Sequence, residues 1–169
     1  IEMARENRYD LIITTLHIDD MRPATFAKSL QEEGVEIPVV MLAFDNRELA
    51  EMIAHREDRL FDQVFIWQGN YQLILAIIKY LEDKLNVDHD THIMGVQTLI
   101  LVEDNIRYYS SFLPIIYREI MNQSRRVIEE GVNVSNKHLR QRARPKILLA
   151  RTYEEAVELF SDYESNILS

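Results

Sequence analysis

The feature that most constrains the fold of this chain is a series of short apolar runs, each followed by a segment with helical spacing. A continuous apolar run is typical of a strand that is buried on both faces of a parallel sheet. The runs predict strands at 9–15, 37–42, 61–67, 99–102 and 146–150, and 166–169 begin a sixth. Strands that alternate with helices predict an α/β fold in which right-handed crossovers connect parallel strands.

Turn and capping residues predict where the helices begin and end. Gly34 is a helix stop after the first helical stripe. Asp45 with Glu48 forms one capping box, and Thr152 with Glu155 forms another, each directly before an apolar stripe. These signals predict helices between the first and second strands, after the second strand, and after the fifth.

The helix after the fourth strand carries an aromatic-rich stripe with Tyr109, Phe112 and Leu113 on one face. Pro114 falls inside this pattern, so we predict either a kink or a helix that starts late. We interpret Tyr108, Tyr109 and Phe112 as core and flanking residues and not as a ligand cage.

Two polar stretches are candidates for binding. The connector at 86–97 holds Asp88, His89, Asp90 and His92. A metal site there would need a fixed geometry and usually a further ligand, so we predict a solvated linker. The segment 122–144 is basic, through Arg125, Arg126, Lys137, His138, Arg140, Arg142 and Arg144. It is a candidate to dock an acidic partner surface or a nucleotide phosphate, but we prefer a solvated helix face.

Composition excludes several classes of protein. The 169 residues suggest one domain, or one and a part. A net charge of −9 argues against nucleic acid as the main partner, and the apolar runs are too short to span a membrane. The chain has no cysteine, which is compatible with a reducing compartment. We therefore expect a cytoplasmic protein with no nucleic-acid or membrane partner.

The fourth apolar run ends in two adjacent carboxylates, Glu103 and Asp104, in the sequence LILVEDN. Ligands of open α/β sheets bind outside the carboxyl ends of strands, and paired carboxylates provide the oxygen ligands that Mg²⁺ prefers. The alternative is that both residues merely cap the following helix and favour its positive end. On this segment alone we prefer the second interpretation.

Several segments resemble receiver domains of response regulators. YDLIITTLHIDDM, IPVVMLAFDN and FDQVFIWQGN look like the third, fourth and fifth receiver strands with their following loops. LILVEDN looks like the first strand, and PKILLARTYEEAVELF like the second strand and helix. The resemblance implies a flavodoxin-like, three-layer α/β/α fold. Its sheet would be mostly parallel and five-stranded, in the order 2-1-3-4-5.

The order of these segments indicates one period of a tandem repeat, cut out of phase. Residues 1–85 resemble the carboxy-terminal part of a first unit and 98–169 the amino-terminal part of a second, with an insertion at 122–144. We predict that the halves form one compact domain, either as a circular permutant or by exchange between two chains. FIWQGN and NVDHDTHIMGV resemble the amino-terminal region of bacterial phosphoenolpyruvate synthase or pyruvate phosphate dikinase-type proteins, so the chain is expected to belong to a longer protein.

The resemblance also implies that the phosphorylation site is degenerate. Thr15 stands where receivers have the phosphoacceptor aspartate, Ala43 where they have a hydroxyl, and Trp67 where they have a lysine. In either closed form, Thr15 would meet Glu103 and Asp104 at one end of the sheet. We expect weak metal binding there, no ordered Mg²⁺ and no other cofactor.

The functional expectation is a degenerate receiver-like module that regulates or scaffolds an attached enzyme and is not itself catalytic. Its partners would be other domains of the same protein, a separate protein, or a second copy that exchanges halves. The alternative is a signalling receiver whose second unit accepts a phosphoryl group on an aspartate after Ser169. An independent enzyme on a flavodoxin-like scaffold lacks any supporting motif.

Overall fold

The computed structural model describes residues 8–16, 21–130 and 144–168 of the chain. The chain divides into two compact units, Ile1–Asn70 and Tyr71–Ser169. Each unit has its own parallel sheet, so the predicted α/β class is confirmed.

The first unit alternates strands and helices around a three-stranded parallel sheet. Its elements are β1 (Ile12–Thr15), α1 (Pro23–Glu32), β2 (Val39–Ala43), α2 (Asn46–Ala54), a 3₁₀ turn (Glu57–Leu60) and β3 (Gln63–Ile66). The strand order is β1-β2-β3. Val40 of β2 lies opposite Ile13 on one side and Gln63 on the other. All five residues of the central strand β2 are buried, as its continuous apolar run predicts.

Local signals set both ends of α1 and the start of α2. Pro23 occupies the first turn of α1, where its missing N–H costs nothing. Gly34 follows the end of α1 with φ of 69°, a left-handed conformation that glycine adopts without steric penalty. Asp45 caps α2 by accepting a hydrogen bond from the backbone N–H of Arg47 at 2.7 Å. The predicted helix stop and the predicted N-cap are confirmed.

Within residues 71–130 and 144–168, the second unit contains three helices and a two-stranded parallel sheet. Its elements are α3 (Gln72–Asp88), a π-helical turn (His89–Ile93), β4 (Thr98–Val102), α4 (Ile106–Glu130), β5 (Lys146–Ala150), α5 (Tyr153–Tyr163) and a 3₁₀ turn (Glu164–Asn166). Helix α3 packs against α4 and β5, and α5 packs against both strands. Thr152 accepts a hydrogen bond from the N–H of Glu155, whose carboxylate accepts one from the N–H of Arg151. The predicted capping box at the start of α5 is confirmed.

Helix α4 differs from its prediction in its start and in its core face. It begins at Ile106 and passes through Pro114, so the prediction of a helix that starts late is wrong. Tyr109 and Leu113 are fully buried as predicted, but Phe112 is 41% exposed. The core side is completed by Tyr117 instead, because a spacing of three to four residues from Leu113 continues the buried stripe.

The predicted connector at 86–97 has helical backbone over much of its length, although most of its residues are exposed, as the solvated interpretation expects. Helix α3 extends to Asp88, and the π-helical turn continues to Ile93. Thr91 is buried, and its hydroxyl donates to the carbonyl of Val87 at 2.7 Å. The polar residues of this segment follow the helical backbone because they have partners on β5 and α5, which local sequence does not reveal.

The predicted five-stranded sheet is also wrong. Strand β1 belongs to the three-stranded sheet and β4 to the two-stranded sheet, so the single-chain circular permutant does not form. The edge of β4 away from β5 meets a later part of its own unit instead. Ile167 forms a parallel bridge with Thr98, and the N–H of Leu168 donates to the Thr98 carbonyl at 2.9 Å. Of the predicted sixth strand, the described residues thus form a single β-bridge, between Ile167 and Thr98.

The predicted repeat boundaries at 85 and 98 differ from the spatial units. Helix α3, which the repeat pattern assigns to the first half, packs within the second unit. The division of the sequence into repeat units at 85 and 98 stays a prediction. Most of the insertion at 122–144 lies outside the described residues.

Candidate functional site

The carboxyl edge of the first unit's sheet carries Thr15, Ala43 and Trp67, the three positions compared above with the receiver phosphorylation site. Thr15 ends β1 opposite Leu42, so it stands one register step before Ala43, the last residue of β2. Trp67 follows β3, and its backbone N–H donates to the carbonyl of Ala43 at 2.7 Å. The parallel register therefore places Thr15, Ala43 and Trp67 on neighbouring strand ends, as the resemblance implies.

The chemistry available at this edge is limited. Ala43 is fully buried and provides only backbone groups. Thr15 and Trp67 are half-buried, and neither side chain carries a charge. A carboxylate nucleophile needs a neighbouring cation or metal to become reactive toward a phosphoryl donor, and these three side chains provide neither carboxylate nor cation.

Glu103 and Asp104 follow β4 in the second unit. The backbone N–H of Glu103 donates to the carbonyl of Ala150, and its carboxylate accepts from the N–H of Asn105 at 3.0 Å. The side chain of Asn105 in turn accepts from the N–H of Arg107 in the first turn of α4. Asn105 is therefore the capping residue, while Glu103 stabilises the turn before it and Asp104 is exposed.

The acidic pair and Thr15 do not share a sheet edge. Thr15 belongs to the three-stranded sheet, whereas Glu103 and Asp104 follow a strand of the two-stranded sheet. The predicted meeting of all three at one sheet end is wrong because it depended on pairing between β1 and β4. Among the described residues, no group of three or more histidine or acidic side chains is arranged to hold a metal ion.

The most extensive polar cluster lies elsewhere, around the fully buried carboxylate of Asp83 on α3. Arg144 donates to it through both terminal nitrogens, at 2.9 and 2.6 Å. The hydroxyl of Tyr117 and the backbone N–H of Ile147 donate to Oδ2 at 2.9 and 3.0 Å. One carboxylate thereby connects α3, α4 and the start of β5.

The electrostatics of this cluster follow from burial and pairing. Burial opposes the charge of Arg144, but the hydrogen bonds and charge of Asp83 outweigh it and raise the pKa of the guanidinium. Burial raises the pKa of Tyr117 far above its usual value, and the charge of Asp83 adds to the effect. Both side chains therefore keep their protons and remain donors to Asp83 over the whole physiological range.

Lys146 extends the cluster to the π-helical turn. Its ammonium lies 3.4 Å from Asp83 and 2.5 Å from Asp90. Burial alone would raise the pKa of Asp90, but the hydrogen bond from Lys146 outweighs it and lowers that pKa. His89 lies 3.1 Å from the same carboxylate. A pocket of about 290 Å³ opens onto these side chains, but its cations already face carboxylates.

A second contact joins the turn to α5. The hydroxyl of Tyr163 donates to Asp88 at 2.5 Å, and the ring of His92 stacks on Tyr163 with centroids 5.9 Å apart. The connector residues Asp88 and His92 thus contact α5, and Asp90 contacts β5. They hold the turn in place.

Sequence reasoning missed Asp83, although a signal was present. Asp83 lies on the spacing of the buried residues Ala76, Tyr80 and Val87 of α3, so it shares their helix face. A carboxylate on an apolar face requires partners. Those partners are distant in sequence, and the spacing does not identify them.

Comparison with protein-family models, with curated proteins and with solved structures gives no match for this chain. Within the described residues, none of the helices combines the length and the apolar character that crossing a bilayer requires.

Proposed function

We propose that this chain is a degenerate receiver-like regulatory or protein-interaction module, and that it is not itself catalytic. The observation that carries the proposal is the carboxyl edge of the first sheet. There, Thr15, Ala43 and Trp67 occupy neighbouring strand ends where phosphoryl chemistry would need a carboxylate, a hydroxyl and a cation. A site with this shape and these side chains keeps the scaffold of a switch without its reactive groups.

The proposal includes a larger parent. The phrases FIWQGN and NVDHDTHIMGV support a phosphoenolpyruvate synthase or pyruvate phosphate dikinase-type protein, whose enzymatic domains would be separate from these residues. In that setting, the module acts through protein contact on an attached domain or on a partner, which includes a second copy that exchanges halves.

Intact mass spectrometry tests the absence of phosphoryl chemistry. The full chain is incubated with Mg²⁺ and acetyl phosphate, and its mass is compared with that of an untreated sample. We expect no phosphoryl adduct, because Thr15 cannot form an acyl phosphate and Trp67 supplies no cation. A stoichiometric adduct that hydrolyses as an acyl phosphate would contradict the proposal.

One observation favours the alternative, a phosphoacceptor in the second unit. Glu103 and Asp104 are adjacent after β4, and Ile167 begins to pair beside that strand. If the parent gene places an aspartate at the end of the strand that Ile167 begins, a longer chain should accept the phosphoryl group. The double variant Glu103→Ala, Asp104→Ala should then lose the adduct, whereas Glu51→Ala, an exposed carboxylate of the first unit, should keep it.

A further inference from the structure

Helix α4 carries a second apolar stripe that faces solvent. Tyr108, Phe112 and Ile115 are 53%, 41% and 52% exposed, and their spacing of four and then three residues places them along one line of the helix. The rings of Tyr108 and Phe112 are stacked, with centroids 6.1 Å apart and planes 16° apart. We refer to these three residues as the outer stripe.

The fold of the second unit does not account for the outer stripe. The buried side of α4 is formed by Tyr109, Leu113 and Tyr117, each at most 1% exposed. At 3.6 residues per turn, the outer stripe lies on the far side of the helix from these residues. Single exposed apolar residues are ordinary, but a contiguous cluster of large ones marks an interaction site.

Charged side chains follow the outer stripe toward the carboxyl end of α4. Arg118 and Arg125 are exposed and lie seven residues apart, on one line of α4. They also border a groove of about 110 Å³ between α3 and α4, whose apolar lining includes Leu75, Pro114 and Met121. Glu119 is exposed one turn beyond Ile115, so the stripe has a basic flank and an acidic end.

From this arrangement we infer that the outer stripe docks an acidic amphipathic helix of a partner protein. Apolar side chains at helical spacing would pack on Tyr108, Phe112 and Ile115, in the way that helices recognise grooves and stripes. Carboxylates on the same helix would pair with Arg118 and Arg125, where arginine forms bidentate contacts. A nucleic acid is disfavoured because the net charge of −9 repels a polyphosphate along its whole length, whereas an acidic helix needs only a few carboxylates opposite Arg118 and Arg125.

The inference rests on the proposed interaction function and adds the chemistry of the partner. The inference can fail while the proposed function stands, and the reverse. The mass experiment measures phosphoryl transfer at the strand ends, whereas the experiment below measures peptide binding at α4.

Fluorescence anisotropy with two designed peptides tests the inference on the full chain. Both are labelled amphipathic peptides of about 18 residues, long enough to be helical, with leucines at the spacing of the outer stripe. One carries glutamates beside the leucines, and the other carries lysines at the same positions. We expect the glutamate peptide to bind at least about tenfold more tightly than the lysine peptide at low salt, and the difference to shrink as salt increases.

Variants locate the binding. Phe112→Ser and Arg118→Glu should each lower the affinity for the glutamate peptide by about tenfold, as truncation of a central contact commonly does. Glu119→Lys should increase this affinity, because a charge that repels the glutamates becomes one that attracts them. The matched controls are Val157→Ser on α5, which is also 48% exposed, and Arg47→Glu, which is exposed in the first unit. Neither should change the affinity.

Two results would overturn the inference. The first is the absence of saturable binding by the glutamate peptide, or equal binding of both peptides. The second is a loss of affinity in Val157→Ser as large as that in Phe112→Ser, which would indicate non-specific hydrophobic binding. Binding of a single-stranded oligonucleotide or of anionic vesicles that depends on Phe112 and Arg118, with no peptide binding, would reassign the surface to those partners.

Discussion

The buried carboxylate of Asp83 offers the sharpest test of how the second unit is held together. Asp83→Asn keeps the size of the side chain and removes its charge. The hydroxyl of Tyr117 and the N–H of Ile147 donate to Oδ2 of Asp83 at 2.9 and 3.0 Å. In the variant, both can donate to the amide oxygen of the asparagine. The loss is therefore concentrated in the bidentate pair with Arg144 and in the contact with Lys146 at 3.4 Å.

The magnitude follows from the burial of the two partners. Removing one member of a buried ion pair costs about 3–5 kcal/mol, because the other charge is left without compensation. Asp83 is 0% exposed, whereas the side chain of Arg144 is 18% exposed and keeps some access to water and to Glu82 at 3.7 Å. The lower end of the range applies, so we expect the free energy of unfolding to fall by about 3 kcal/mol.

Urea unfolding measures the change. Far-UV circular dichroism follows the helices, and three of those in the described part of the chain lie in the second unit. The single tryptophan, Trp67, lies in the first unit, so its fluorescence reports on that unit separately. A loss of about 3 kcal/mol should shift the midpoint of the dichroism transition by about 1–3 M urea.

Glu82→Gln is the matched control, one residue away on the same helix. The side chain of Glu82 is 42% exposed and pairs with Lys79 at 2.5 Å, and an exposed pair of this kind contributes less than about 1 kcal/mol. A shift for Asp83→Asn no larger than that for Glu82→Gln would show that the cluster around Asp83 does not stabilise the unit.

Two further variants test local contacts of α5. Burial and the hydrogen bond to Asp88 raise the pKa of Tyr163 from 10.0 to about 12, so its contribution to stability is complete below pH 10.0 and is lost as the pH rises toward about 12. Tyr163→Phe should remove that part of the alkaline loss in thermal unfolding scans, and an unchanged profile would refute the assignment. Thr152→Ala removes the cap that accepts from Glu155 and should cost about 1 kcal/mol in urea unfolding, whereas Ser161→Ala, at an exposed site on the same helix, should be neutral.

Much of the local structure of this protein is determined by short segments of sequence. Asp45 and Thr152 cap their helices, and Gly34 ends α1, because each of these contacts involves residues no more than a few positions apart. Apolar runs likewise identify the strands, and the parallel register then places Thr15, Ala43 and Trp67 at one edge.

Only the tertiary structure decides which strands share a sheet and which polar groups are buried. Strand β4 could satisfy its open edge with any strand of suitable pattern, and it meets Ile167 of its own unit and not β1. Asp83 finds partners 34, 61 and 64 positions away at Tyr117, Arg144 and Ile147. Backbone hydrogen bonds are chemically alike in every strand, and a buried carboxylate accepts any donor that packing brings to it. Their partners therefore depend on long-range packing, which no local pattern encodes.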